Sequence, residues 1–403
     1  MPIEFAQRLR RLPVYPVASG YDLGADVAML ASNESSFAPL SAVVAAAQRT
    51  LAGANRYPDP SYSPLRSALA DRYDIPAERV ALGNGSCDLL LAAGEALLEP
   101  GAEVLYGWPA FSVYPHLPAA SGARAVEVAL DGEDRHDLDA MAAELTVATR
   151  LVLLCNPNNP TSTALGLEQV EGFLERVPAH VCVILDEAYC EFALCLGDPH
   201  ASLALLKRHP NLVLLRTFSK VYGLAGLRVG YALCGSASFR QAVDQVRQPF
   251  HLNMAAQAAA VEALRHQDEV ERRVSATIAA RIELEEGIRA QGLWVAESDA
   301  NFVWLRLPAP GGWSAARSVA GGASARGGST TDAAALAEAA AVAVADAAAA
   351  EAAVMTGLRE RGVLVRGGGS LGRAGALRVT VGTPAENARF VDALGELTSR
   401  SAN

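Results

Sequence analysis

The stretch Leu214-Leu215-Arg216-Thr217-Phe218-Ser219-Lys220-Val221-Tyr222-Gly223-Leu224-Ala225-Gly226-Leu227-Arg228-Val229-Gly230-Tyr231 decides how the rest of the chain is read. An apolar run at 212–215 predicts a buried strand that ends in hydroxyls and one lysine. A glycine-punctuated loop then leads into a second apolar run at 228–234. Lys220 therefore stands at the mouth of a sheet. Desolvated there, with Ser219 and Arg228 beside it, it is suited to joining a carbonyl through its amine while hydroxyl and guanidinium groups grip a phosphate. Taken alone, a Ser-Lys pair at a strand end reads as a lysine reaching out to water. Its company changes that reading.

Working outward, apolar runs at 80–82, 103–106, 125–128, 151–155, 181–185, 212–215 and 229–233 alternate with amphipathic segments at 87–98, 166–176 and 237–246. This is the pattern of an α/β fold: a mostly parallel seven-stranded sheet, covered on both faces, with its functional groups at the carboxyl ends of strands. Upstream, residues 1–40 read as an arm broken by Pro13, Pro16, Gly20 and Gly24, followed by helices at 40–51 and 63–73 around the proline-stiffened loop that carries Tyr57. Downstream, one long helix is expected at 253–290, its apolar stripe carried by Val270, Val274, Ile278 and Ile282. It leads into a smaller α+β domain with strands at 302–307, 363–365 and 377–381 and a last helix at 385–397. The expected division is an arm at 1–40, a large domain at 41–285 and a small domain at 286–403. The small domain carries a low-complexity Ala/Gly-rich insertion at about 311–353, loop-like up to 331 and an alanine helix beyond.

Hydrophobic residues make up 51% of the 403 and charged residues 19%, which describes a globular chain. A net charge of -10, with no cluster of Lys and Arg, argues against a nucleic-acid surface. The six cysteines sit mostly in apolar runs, without a Cys-x-x-Cys pair or a His cluster, so buried thiols of a cytoplasmic protein are expected and metal ligands are not. No apolar signal core follows the N-terminal arginines. The alanine-rich run at 333–354 is interrupted by Glu338, Asp346 and Glu351, which favours a soluble helix over a membrane span.

Several further motifs fall at strand ends. Gly83-Asn84-Gly85-Ser86 closes a strand and opens a helix, where glycine admits close approach and unpaired N–H groups can receive a phosphate; a tight turn that merely needs glycine is the alternative. Trp108-Pro109-Ala110-Phe111 offers an aromatic for stacking, Phe111, which reads equally as a core ring. Asn156-Pro157-Asn158-Asn159-Pro160-Thr161 is a loop stiffened by two prolines that can hold an amide in place. Asp186, in Asp186-Glu187-Ala188-Tyr189, is a carboxylate at a buried strand end, costly unless a cationic N–H faces it. Arg378 lies inside an apolar strand and must meet an anion, either a substrate carboxylate or an internal acid; Arg366 faces inward or to solvent.

Ser-Lys-x-Tyr-Gly-Leu-Ala-Gly-Leu-Arg-x-Gly-Tyr, followed in both directions by these motifs in the same order, resembles the fold-type-I pyridoxal-phosphate aminotransferases of the histidinol-phosphate aminotransferase family. The resemblance spans nearly the whole chain except the insertion. It implies pyridoxal 5′-phosphate as cofactor, with Lys220 as covalent anchor and proton carrier. Gly85, Ser86, Cys87 through its backbone, Thr217, Ser219 and Arg228 would form the phosphate cup. Phe111 would stack on the ring, Asp186 would face the ring nitrogen, and Asn159 and Tyr189 would meet the phenolic oxygen. It further implies a homodimer in which Tyr57 reaches the neighbour's cofactor phosphate. Arg378 would take the substrate α-carboxylate, with Arg366, Tyr15 and Asn33 as further substrate contacts. Ser162 stands where many members have Gly.

The stretches around Asn33, Trp108 and Asn159 look closer to the aromatic (phenylalanine) aminotransferase branch, so the expected reaction is transamination of an aromatic L-amino acid with 2-oxoglutarate. Histidinol-phosphate transamination is the alternative, for which Arg366 would supply cationic grip, whereas Tyr15, Trp108 and Phe111 suit an aromatic slot. A decarboxylase of the same fold ranks below both, because Arg378 is retained. A regulator with an appended DNA-binding module finds no room in the short, proline-broken arm.

Overall fold

A computed structural model of the chain describes residues 3–10, 12, 14, 26–308 and 330–400. Seven strands form the larger sheet: β1 (Val80–Gly83), β2 (Glu103–Trp108), β3 (Arg124–Ala129), β4 (Thr149–Cys155), β5 (Cys182–Asp186), β6 (Leu212–Thr217) and β7 (Gly230–Cys234), in the spatial order β1-β7-β6-β5-β4-β2-β3. All neighbours are parallel except β7, which runs against both β1 and β6. The expected strands are all present, each within two residues of its expected ends.

The central strands are buried on both faces because successive side chains point opposite ways and both sides are covered. Val152, Leu154, Val183, Leu185 and Leu214 pack against the helices Ser63–Tyr73 and Met254–Ala263, while Leu151, Leu153, Ile184, Val213 and Leu215 pack against Leu89, Leu90 and Ala93 of α1 (Ser86–Leu97). Each such side chain contributes about 1.5–3 kcal/mol by leaving water. The edge strand β3 differs. There Val126 and Val128 are buried while Arg124 and Glu127 face out, which blunts an open edge with charge.

The single helix expected at 253–290 is two helices, Met254–Ala263, capped by the Asn253 side chain on Ala256 N at 2.7 Å, and α2 (Gln267–Ala290). A new start at Gln267 is favoured by Asp268 and Glu269 in the first turn, a weak signal among ordinary helix formers. The buried face of α2 also sits beside the expected stripe. Ile282 is 43% exposed, whereas Arg273, Thr277, Arg281, Leu284 and Ile288 are buried. Two arginines are tolerated there because their guanidiniums find oxygens: Arg273 donates to Ala38 O, and Arg281 to Phe192 O and Ala300 O.

The smaller sheet is antiparallel, in the order β10-β11-β9-β8, from β8 (Trp294–Val295), β9 (Phe302–Arg306), β10 (Arg366–Gly367) and β11 (Ala376–Thr380). Two long helices, α3 (Thr330–Glu360) and α4 (Pro384–Arg400), cover it together with α2, burying Leu284, Ile288, Leu358, Phe390 and Leu394. The strand expected at 363–365 does not join this sheet. Val363–Leu364 pairs in parallel with Ala28–Met29, so the end of the supposed arm is tied to the small sheet, with Ala28 and Leu30 in its core. The first half of the expected insertion lies outside the described residues. Its second half is α3, whose segment Ala341–Glu360 is long and apolar enough to cross a membrane by composition; here Val354, Met355 and Leu358 pack on the small sheet.

Candidate active site

A cavity of about 430 Å³ opens at the carboxyl ends of β4, β5 and β6, between the two sheets. Ser86, Cys87, Phe111, Asn159, Asp186, Tyr189, Thr217, Ser219, Lys220 and Arg228 reach it from the large sheet, and Asn33, Arg366 and Arg378 from the small sheet and its appended strand.

One end is built for an anion. β1 stops at Gly83 and α1 begins at Ser86, aiming a helix N-terminus with its unpaired N–H groups into the cavity. Gly85 has φ of +86°, and a Cβ there would stand 2.4 Å from Arg228 Nη2; a Cβ on Gly230 would stand 2.4 Å from Ser86 N. Glycine at 85 lets the guanidinium close over the helix start, and glycine at 230 lets the Ser86 backbone lie against β7. Arg228 is itself left-handed, with φ of 58°, and its Nη1 donates to Ala225 O at 2.9 Å. Thr217 Oγ1 donates to Ser219 Oγ at 2.9 Å and accepts from Ser219 N at 3.1 Å, which aligns the two hydroxyls on the same side.

The other end holds the titrating groups. Lys220 Nζ donates to Asn33 O at 2.9 Å and lies 5.5 Å from the centre of the Tyr189 ring. Burial, and then the Arg378 charge, bring its amine down to about 8, opposed by Glu34. Asp186 is 3% exposed, and burial pushes its carboxyl up to about 6 against hydrogen bonds from Ala188 N and the Tyr114 hydroxyl, both at 3.2 Å. The Tyr189 oxygen receives Nδ2 of Asn33 at 3.2 Å and Nδ2 of Asn159 at 3.3 Å. Arg378 Nη1 donates to Asn159 Oδ1 at 2.7 Å and Nη2 to Ala31 O at 2.6 Å. Arg378 lines the cavity. Arg366 sits opposite Arg378 in the β10–β11 register.

Tyr57 is not brought to the cavity by this chain: it is 80% exposed and stacks on Phe250 with ring centres 4.5 Å apart. Tyr15 lies outside the described residues. Trp108 stands behind the wall, packed against Tyr106 and under Gly372. Tyr114, Glu34, Ala31 and Leu371 line or support the site without having been singled out in the sequence. Tyr114 was open to discovery as a hydroxyl three residues beyond Phe111 on a buried segment, whereas Leu371 gives no signal at all. All six cysteines are free thiols, and no group of three metal-binding side chains occurs among the described residues.

The family described as Aminotransferase class I and II matches residues 25–394. An aromatic amino acid aminotransferase of Thermobifida fusca is 48% identical over 282 residues, 70% of this chain and 77% of that protein; one of Streptomyces coelicolor is 44% identical over 278 residues, 69% and 77%. Among solved structures, the histidinol-phosphate aminotransferase from Sinorhizobium meliloti in complex with pyridoxal-5'-phosphate superposes with a TM-score of 0.80 at 26% identity, over 99% of this chain and 98% of that one. The aspartate aminotransferase from Thermus thermophilus shares the fold, with a TM-score of 0.77 at 21% identity, over 98% and 100%.

Proposed function

The chain belongs to the class I and II aminotransferases, and from that premise we propose that it moves the amino group of an aromatic L-amino acid to a 2-oxo acid, with 2-oxoglutarate as acceptor. Pyridoxal 5′-phosphate is the cofactor of this family fold, and the residues present fit it. The start of α1, with the Arg228 guanidinium brought against it at Gly85, suits a phosphate, a buried carboxylate suits a ring N–H, and a buried amine suits the aldehyde. When bound, the protonated ring draws electrons from the substrate Cα.

In this reading Gly85, Ser86, Cys87, Thr217, Ser219 and Arg228 hold the phosphate, and Phe111 lies along the ring. Asp186 keeps the ring nitrogen protonated, and Asn159 and Tyr189 hold the phenolic oxygen. Lys220 is the covalent anchor. Its amine would carry the proton of the substrate Cα, a task eased by a pKa near 8, which leaves part of it neutral close to physiological pH. Arg378 presents its fork to the α-carboxylate, and Asn33 orients the lysine and the phenol from the same side. The exposed Tyr57, already held by Phe250, serves the neighbour's phosphate in a cytoplasmic homodimer.

The observation that carries the reaction is the joint burial of Lys220 and Asp186 on one cavity, the first with its pKa lowered and the second with its pKa raised. The donor rests on relatives named aromatic amino acid aminotransferase at 42–48% identity. Arg366 on the cavity wall supports a second reading, histidinol phosphate as donor. Pairing the enzyme with 2-oxoglutarate and comparing kcat/KM for L-phenylalanine, L-tyrosine and histidinol phosphate decides between them. A large preference for the phosphorylated donor would reverse the assignment.

A further inference from the structure

α3 reaches the turn between β10 and β11 through Glu351. Glu351 is 7% exposed, and its carboxylate accepts Gly369 N (3.1 Å to Oε1, 3.0 Å to Oε2) and Gly375 N (2.9 Å to Oε2). Those two glycines are the ends of the turn that joins β10 to β11. The approach needs glycine at the strand end as well: a Cβ on Gly367 would stand 2.3 Å from Glu351 Oε1. Inside the turn, Leu371 N and Arg373 N both donate to Gly368 O at 2.8 Å. Its far side is tied to the large domain. Arg373 pairs with the buried Asp134, and Gly372, with φ of +103°, lies on the Trp108 indole, where a Cβ would come within 2.7 Å of the ring.

The tip of this turn is Leu371, which lines the cavity alongside Arg366 and packs on Ala296, Trp304 and Ala376. A seven-residue turn with a single buried apolar side chain has little hydrophobic contact of its own. Its shape depends on what holds it, and beside the Arg373–Asp134 pair a buried carboxylate receives N–H groups from both ends. Burial raises the Glu351 carboxyl, while the N–H groups of Gly369 and Gly375 lower it.

We propose that Glu351 is a positioning residue for donor selection: by holding both ends of the 369–375 turn it sets Leu371 as an apolar wall against the side chain of the amino donor. The alanine-rich helix is thereby part of the specificity apparatus. This inference rests on the aromatic-donor reading above and extends it to a residue that does not touch the substrate.

Glu351→Gln keeps the size of the side chain but leaves one acceptor oxygen and turns an NH₂ group toward the glycine N–H groups. With L-phenylalanine as donor, kcat/KM is expected to fall about tenfold, through KM, while L-alanine changes within about twofold and the absorbance of the bound cofactor stays the same. The quantity read is the ratio of phenylalanine to alanine. Equal losses for the two donors would show a merely structural role and overturn the proposal, as would an unchanged ratio. If Glu351→Gln folds poorly, Leu371→Ala reads the same wall with the turn ends intact, and an unchanged ratio there overturns it too. A wild-type enzyme without preference for aromatic donors overturns the donor reading and this inference together. A wild-type preference that survives both substitutions overturns the inference alone.

Discussion

Replacing Asp186 by asparagine in the cofactor-free chain is expected to stabilise it at pH 8 and to do nothing at pH 4. The carboxyl is buried, and burial lifts its pKa from 3.8 to about 6. A difference of about 2 units at about 1.4 kcal/mol each amounts to about 3 kcal/mol. The folded chain binds this proton more tightly than the unfolded chain, so wild-type stability falls as pH rises from about 4 to about 6 and levels off above. The substituted amide carries no such charge. Its oxygen can still accept from Ala188 N, its NH₂ group can donate to the Tyr114 oxygen, and the Tyr114 O–H, which loses its carboxylate acceptor, can turn to Cys155 Sγ. Thermal unfolding of both proteins, stripped of cofactor and followed from pH 4 to pH 8, should show Asp186→Asn melting several degrees higher at the alkaline end and the gap closing at the acid end. Adding pyridoxal phosphate should reverse the order at pH 8, because only the wild type gains an ion pair. A variant no more stable than wild type at pH 8, or a gap that persists at pH 4, would refute the reasoning.

Lys220→Ala is expected to abolish turnover and the lysine-linked absorbance of the cofactor; activity at the wild-type level ends the assignment of the anchor. Arg378→Ala should raise KM for amino and oxo acids by about ten- to a hundredfold, the worth of one charge-assisted hydrogen bond or slightly more, with a smaller change in kcat, and steady-state kinetics that do not move exclude the carboxylate role. Gly85→Ala places a methyl group 2.4 Å from Arg228 Nη2, so fluorescence titration of the cofactor-free protein should show cofactor affinity weakened by about tenfold or more; undiminished affinity would remove Arg228 from the phosphate cup. Excising residues 312–340 should leave cofactor binding intact, since Glu351, which holds the 369–375 turn, lies beyond the excised segment, and loss of the cofactor on deletion contradicts this.

Strands were the most legible part of the chain, because a two-sided sheet demands uninterrupted apolar runs and nothing else in the sequence looks like 151–155 or 212–215. Site residues at strand ends were legible for the same reason: Asp186 and Lys220 are polar interruptions where an apolar run must stop. The buried face of α2 was not, because Arg273 and Arg281 are tolerated inside partly through carbonyls contributed by residues far away in the chain, beside the Glu269 and Glu285 carboxylates of their own helix. Nor was the pairing of Val363–Leu364 with Ala28–Met29, two-residue strands too short to show a period and separated by most of the chain. Glu351 looked like a polar interruption of an alanine helix, and only the fold reveals that the interruption points inward.

The groups around the cavity are divided between two supports. Every residue assigned to the cofactor within this chain stands on the large sheet, whereas Asn33, Arg366, Leu371 and Arg378 stand on the small sheet or the strand sewn to it. At the cavity, Lys220 to Asn33, Asn159 to Arg378 and Asn33 to Tyr189 stitch the halves together, and away from it Trp304, Arg306 and Arg373 all hold Asp134. A hinge that parts the sheets would break the three cavity contacts and open the side lined by Asn33, Arg366, Leu371 and Arg378, while Ser86, Asp186, Ser219, Lys220 and Arg228 stay together on one support.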